Sequence, residues 1–217
     1  RRKSRQLEGK DEMDKTIETR HGPIHARVEG KGPAIVLAHG YHPNNSWQVW
    51  ENNLDAIAGA GYCVYALDLI GYGASGGEQI GQQQQAEAIL DLVEAEGLAP
   101  ATLGGVSWGG MVALAAALDR PAAVARLVLV DSAGVGFFGE EQMESISCPT
   151  LIVWGEDDTV LPLSNAAWFG ATIPGSRVEI IAGVTDQEGV PEWGGHHPMR
   201  FKPREFNQIL LDFLSST

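Results

Sequence analysis

The chain has 217 residues and a mass of 23.2 kDa, with 44% hydrophobic and 20% charged residues, which suits a folded chain with a sizeable core and excludes disorder. Fifteen basic against 28 acidic residues give a net charge of −13, and no Lys or Arg occurs between positions 32 and 119, so the chain repels phosphate backbones and nucleic-acid binding is excluded. No apolar run reaches the roughly 18 residues of a membrane span, and two cysteines far apart, Cys63 and Cys148, exclude a disulfide scaffold or a cysteine-based zinc site.

In chain order, residues 1–15 are polar and mixed in charge, hold seven basic residues with Arg20, and lack the apolar stretch of a signal peptide. They read as a flexible tail; the other reading is a stub left where an upstream signal or anchor was removed, and the rest is expected to be cytoplasmic. Residues 16–19 and 24–28, parted by the turn-like His21-Gly22-Pro23, predict a hairpin. Residues 34–38 predict a buried strand ending at His39-Gly40, and residues 62–67 another ending at Asp68. Residues 83–96 carry Ala86, Ile89, Leu90 and Val93 on one helical face, and the glutamine run 82–85 reads as a solvated helix start. Residues 102–106 predict a strand, 111–118 a helix, 126–130, 150–154 and 178–181 further strands, and Phe206, Ile209, Leu210, Phe213 and Leu214 a closing helix. Apolar strands alternating with helices predict one α/β domain over residues 16–217, with a mostly parallel eight-stranded sheet covered on both faces.

The chemistry begins at Gly105-Val106-Ser107-Trp108-Gly109, a G-x-S-x-G string. The string alone is weak: with 27 glycines and eleven serines, roughly 0.2 matches arise by chance. Gly73-Ala74-Ser75-Gly76-Gly77 matches as well. Context separates the two. A nucleophile elbow needs a strand before the serine and a helix directly after it, so that the turn lifts the hydroxyl off the sheet and aims a helix N-terminus at the reacting centre. Ser107 has both flanks; Ser75 sits in a loop.

Together with the His39-Gly40 strand end, the Asp68–Ser75 loop, Gly155-Glu156-Asp157-Asp158-Thr159-Val160-Leu161-Pro162 and Gly195-His196-His197-Pro198, the elbow makes the chain resemble the α/β-hydrolase superfamily from about Ile24 to the C-terminus. The resemblance implies the α/β-hydrolase fold and a Ser, Asp, His chain order. A serine hydroxyl needs a base, and the base an orienting anion. His196 is the expected base, with adjacent His197 pointing away, His39 structural, His42 before the elbow, and His21 and His25 at the surface. Asp158 is the expected acid, on its G-x-x-D-x-x-x-P spacing; Asp131, after the strand at 126–130, and Asp157 are the alternatives. The family's oxyanion hole implies backbone N–H groups of Tyr41 and Trp108. No metal site and no cofactor are expected.

Two departures shape the substrate expectation. Only residues 134–148 separate Ala133 from the strand introduced by Pro149, which leaves no room for the helical cap of most relatives. The stretch 184–194 is longer than the usual connection and either forms a partial flap carrying Trp193 or a solvated loop. Phe137 and Trp193 are the candidate substrate-binding residues. The expected activity is hydrolysis of small, neutral, short-acyl carboxylic esters, with no membrane or nucleic-acid partner. Thioesters, lactones and other acyl compounds are alternatives on the same site, and a non-catalytic interaction scaffold is the alternative of another class.

Overall fold

The computed structural model describes residues 12–216, and its eight strands form one sheet in the order β1-β2-β4-β3-β5-β6-β7-β8. The strands are β1 (Glu12–Thr19), β2 (Gly22–Gly30), β3 (Ala34–Ala38), β4 (Cys63–Asp68), β5 (Ala101–Val106), β6 (Val124–Val130), β7 (Thr150–Gly155) and β8 (Arg177–Ile181). β1 and β2 form the hairpin, β2 meets β4 antiparallel, and every pairing from β4 through β3 to β8 is parallel. β3, β5 and β7 are buried along their whole length, as strands covered on both faces must be.

The helices are α1 (Glu51–Gly59), α2 (Gln82–Ala95), α3 (Trp108–Asp119), α4 (Glu140–Glu144), α5 (Ser164–Thr172), α6 (Pro198–Phe201) and α7 (Pro203–Ser215). Two separate clusters of buried side chains lie against the sheet. One takes its helical residues from α2, α3, α4 and α5, the other from α1, α6 and α7. α3 is buried nearly all round, from Gly109 to Ala117, because it packs directly behind the strand that leads into it. Between β6 and β7 there is only a turn and the five-residue α4, so among the described residues no cap domain stands over the sheet.

Several expectations change here. The hairpin begins at Glu12 rather than residue 16, since Glu12 pairs with Glu29 and Lys15 with Ala26. β1 is an edge strand that buries only Ile17 among its described side chains, so its charged sequence reads as tail. The part of the predicted tail over residues 1–11 lies outside the described residues. The glutamine run is not simply solvated: Gln85 is fully buried, accepting from the Ile70 N–H at 3.1 Å and donating to the Ile70 carbonyl at 2.8 Å. His25 is buried rather than exposed, with Nδ1 2.9 Å from Asp68 Oδ2.

Candidate active site

The site forms at the carboxyl ends of the parallel strands, where such sheets open a crevice. Ser107 follows β5 directly and precedes α3, with φ 56° and ψ −121°. A side-chain-bearing residue at positive φ is strained, and the surroundings hold it there. The Ser107 N–H donates to the Val130 carbonyl at 2.9 Å, and its own carbonyl accepts from Gly110, Met111 and Ala133. Both flanking glycines are sterically required. A Cβ at position 105 would overlap the backbone of Gly109, and one at 109 would overlap the carbonyl oxygens of Ala38 and His39.

The second serine is differently employed. Ser75 is buried, its hydroxyl donates to the Asp68 carbonyl, and it accepts from the His25 N–H at 2.8 Å. Asp68 also accepts from the N–H groups of Trp47 and Ala74. Ser75 thus closes a loop beneath the sheet end, with its hydroxyl's donor and an acceptor position both engaged.

His196 and Asp158 meet. His196 Nδ1 lies 2.7 Å from Asp158 Oδ2, and both side chains are nearly or fully buried. Asp158 Oδ1 accepts from the N–H groups of Val160 and Leu161 at 2.7 and 3.0 Å. This explains the spacing in Gly155–Pro162: the loop's backbone turns back onto the carboxylate that it carries. Asp157 points elsewhere and accepts from both the N–H and hydroxyl of Thr185. Burial pushes its carboxyl up, but the Thr185 hydrogen bonds outweigh this and hold it below its ordinary value. Asp131, at the end of β6, is fully buried and accepts from the Gly155 N–H at 2.8 Å.

Ser107 and His196 line one cleft of about 390 Å³, together with Gly40, Tyr41, His42, Asn45, Val160, Trp193, His197 and Arg200. The N–H groups of Tyr41 and Trp108 have no acceptor among the described residues and stand in the loop after β3 and at the start of α3. The Tyr41 ring packs edge-on against Trp108 at 5.6 Å. His39 is a strand-end brace: Nδ1 donates to the Gly40 carbonyl at 2.9 Å, and Nε2 accepts from the Leu69 N–H at 3.1 Å. Burial lowers its pKa, which keeps that tautomer neutral.

Two site expectations need correction. Phe137 is 59% exposed and packs edge-on against Phe138 at 5.5 Å, outside the lining of the cleft. Its neighbour Phe138 is the residue that turns into the core. His197 does reach the cleft, with its ring edge-on to His196 at 5.2 Å and to Trp193 at 5.5 Å. Burial, then the neighbouring His196, lowers its pKa to about 3, so it is a neutral wall. The 184–194 stretch is tied down, through Thr185 to Asp157 and through Gln187 to the Val184 and Phe201 carbonyls. Trp193 lines the cleft from it. Asn45, Val160 and Arg200 were not singled out in the sequence; Arg200 stands four positions after His196 at the end of a short helix, a spacing that carries no motif.

A strand–helix elbow holding a strained serine thus shares one cleft with a carboxylate-bound histidine at the carboxyl ends of a mostly parallel sheet. The chain belongs to the alpha/beta hydrolase fold family, whose model matches residues 33–147. It is 31% identical to Protein ABHD14A of Danio rerio over 83% of this chain and 64% of that protein. It is 35% identical to the pimeloyl-[acyl-carrier protein] methyl ester esterase of Vibrio parahaemolyticus over 50% of this chain and 40% of that protein. The chain thus spans less than two thirds of these relatives' lengths. The crystal structure of a predicted CIB-like hydrolase from Thermoplasma acidophilum superposes with a TM-score of 0.82 at 29% identity, covering 95% of this chain and 99% of that one. Among the described residues no helix is long and apolar enough to cross a membrane.

Proposed function

We propose that the chain hydrolyses carboxylic esters through an acyl-enzyme, with Ser107 as nucleophile, His196 as base and Asp158 as the orienting acid. The observation that carries this reading is the 2.7 Å contact between His196 and Asp158 in the cleft that also presents Ser107 at the elbow. Asp158 holds the proton of His196 on Nδ1, which leaves Nε2 as the base. Ser107 Oγ attacks the ester carbonyl carbon and passes its proton to Nε2. The carbonyl oxygen becomes an oxyanion, received by the N–H groups of Tyr41 and Trp108. Collapse expels the alcohol, which takes the proton from His196, and leaves the acyl group on Ser107. Water then repeats the sequence, deprotonated by His196, and releases the acid.

The substrate is a small, neutral ester with a short acyl chain. A cleft of about 390 Å³ with no cap above it supports this, as pockets at this end of the range take small ligands. An active-site-directed fluorophosphonate tests the chemistry. Stoichiometric labelling at Ser107, with hydrolysis of p-nitrophenyl acetate, is expected. Failure to label would favour a non-catalytic scaffold, and labelling without ester turnover would move the reading to thioesters, lactones or other acyl compounds.

A further inference from the structure

Asp131 is a carboxyl group that the catalytic scheme above does not use. It is 0% exposed and sits at φ 41°, a left-handed backbone that Asp and Asn tolerate better than other side-chain-bearing residues. Its N–H donates to the Val153 carbonyl at 3.0 Å, and its Oδ1 accepts from the Gly155 N–H. Its Oδ2 is buried and, as an acceptor, has no hydrogen-bond partner. Polar atoms of Asp131, Asp158 and His196 all lie within 4.8 Å of one another.

Two buried carboxylates this close repel one another, and the repulsion is relieved when one of them holds a proton. The hydrogen bonds decide which one holds the proton. Asp158 accepts from Val160, Leu161 and His196, so both of its oxygens are already engaged as acceptors. Asp131 accepts from a single N–H and leaves its other oxygen orphaned. A proton on Oδ2 turns that orphan acceptor into a donor, on a side chain with an oxygen within 4.8 Å of one of Asp158's.

We propose that Asp131 is a positioning residue: a neutral carboxylic acid that donates from Oδ2 to Asp158, so that the orienting acid of the site is a carboxylic acid–carboxylate pair. This rests on the assignment of Asp158 under the proposed function. Burial, and next the charge of Asp158, raise the Asp131 pKa well above the ordinary carboxyl range. The titratable groups that face it are Asp158 and Asp157 from the loop after β7 and His196 from the turn before α6. The proton stays on Asp131 through turnover, and Asp158 alone meets the imidazolium. Asp131 acts by fixing the carboxylate that in turn fixes the imidazole.

The test compares Asp131→Asn, Asp131→Ala and Asp158→Asn in the whole chain, with p-nitrophenyl acetate as substrate. The Asn amide mimics a protonated carboxyl, since it can accept from Gly155 and donate to Asp158 while tolerating the same backbone. Asp131→Asn is expected to stay within about three-fold of the parent in kcat and to lose any alkaline limb that ionisation of Asp131 imposes. Asp131→Ala is expected to lower kcat about ten- to a hundred-fold with little change in KM, through a displaced catalytic group. Asp158→Asn is expected to lose about 10⁴-fold. An Asp131→Asn protein as inactive as Asp158→Asn would make Asp131 an ionised participant, and an Asp131→Ala protein as active as the parent would remove its positioning role; either overturns the proposal. Infrared difference spectra of parent minus Asp131→Asn give an answer independent of turnover. The carbonyl stretch of a protonated carboxylic acid at pH 7 is expected in the parent and absent from the variant, and its absence from the parent refutes the proposal. Presence of that band in a protein that neither labels with fluorophosphonate nor turns over ester would refute the esterase reading alone.

Discussion

At the scale of single residues, the two G-x-S-x-G strings separate a serine that lines the cleft from one that is buried. Ser107 is held at positive φ at the mouth of a cleft, whereas Ser75 spans the Asp68 carbonyl and the His25 N–H in the interior. Ser107→Ala should remain folded and lose ester turnover by several orders of magnitude. Ser75→Ala should keep its kcat but lose about 1–3 kcal/mol of stability, because two buried polar groups lose their partner; parallel kinetics and urea unfolding check both. The flanking strand and helix made this distinction legible in the sequence. The burial of Gln85 and His25 was not, because each is a polar side chain whose interior partner lies on a segment distant in sequence. Asp131 offers a second residue-scale outcome. Its carboxyl is raised in the fold, so the stability it contributes is fully present below the unfolded carboxyl value and is lost as pH rises towards the folded value. Asp131→Asn, which has no proton to lose, should therefore gain stability relative to the parent between pH 5 and pH 8. A stability difference between the two proteins that stays flat across that range would contradict the raised carboxyl.

At the scale of elements, the site depends on two loops pressed together. A Cβ at Gly155 would fall on the Gly195 carbonyl oxygen, and a Cβ at Gly195 would fall on the backbone of Asp157 and Asp158. Both clashes are with main chain, which cannot swing aside, so the glycines set the distance at which the Asp158 loop meets the His196 loop. Gly155→Ala should cost about 1–3 kcal/mol by overpacking and, by shifting Asp158 from His196, lower kcat about a hundred-fold, as a displacement of about 1 Å does. Measured kcat near the parent value in a folded Gly155→Ala protein would contradict the close-approach account. The buried strands were legible because they are short, apolar and bounded by turn residues; β3 matches its expectation residue for residue. α1 and α5 were missed. α1 buries Leu54 and Ile57, yet Asn53 on the same side is also buried, donating to the Met199 carbonyl and to Asn207. A polar residue inside the apolar stripe hides the period, and its partners on α6 and α7 lie some 150 positions away in the chain. α5 is nine residues long and buries only Ala166 and Phe169, too few for a face to stand out.

At the scale of the molecule, what matters is what stands over the sheet. A cap domain would bury long substrates and supply binding energy remote from the reacting carbonyl, which is how narrow selectivity arises. Here the segment between β6 and β7 carries only α4, and Phe137 stands outside the cleft. Of the two aromatic residues expected to bind substrate, Trp193 alone lines the cleft, its ring edge-on to Phe201 and His197. The mouth is therefore a fixed apolar rim of Tyr41, Val160 and Trp193, each at least 46% exposed. A rim of this kind shelters the first few carbons of an acyl chain and leaves the rest in water. Each sheltered methylene is worth about 0.8 kcal/mol and each exposed one nothing, so the gain from chain length should stop within a few carbons. In a series of p-nitrophenyl esters from acetate to palmitate, kcat/KM should be highest among the short esters and decline for the long ones. The rate should pass through the solubility limit of each longer ester without a jump, since among the described residues no lid stands over the cleft to be displaced by a lipid–water interface. Trp193→Ala should flatten what selectivity exists, raising KM for butyrate several-fold more than for acetate. A sharp optimum at long chains, or a rate that climbs once the substrate forms droplets, would mean that the 184–194 stretch lifts away from Asp157 and acts as a lid after all.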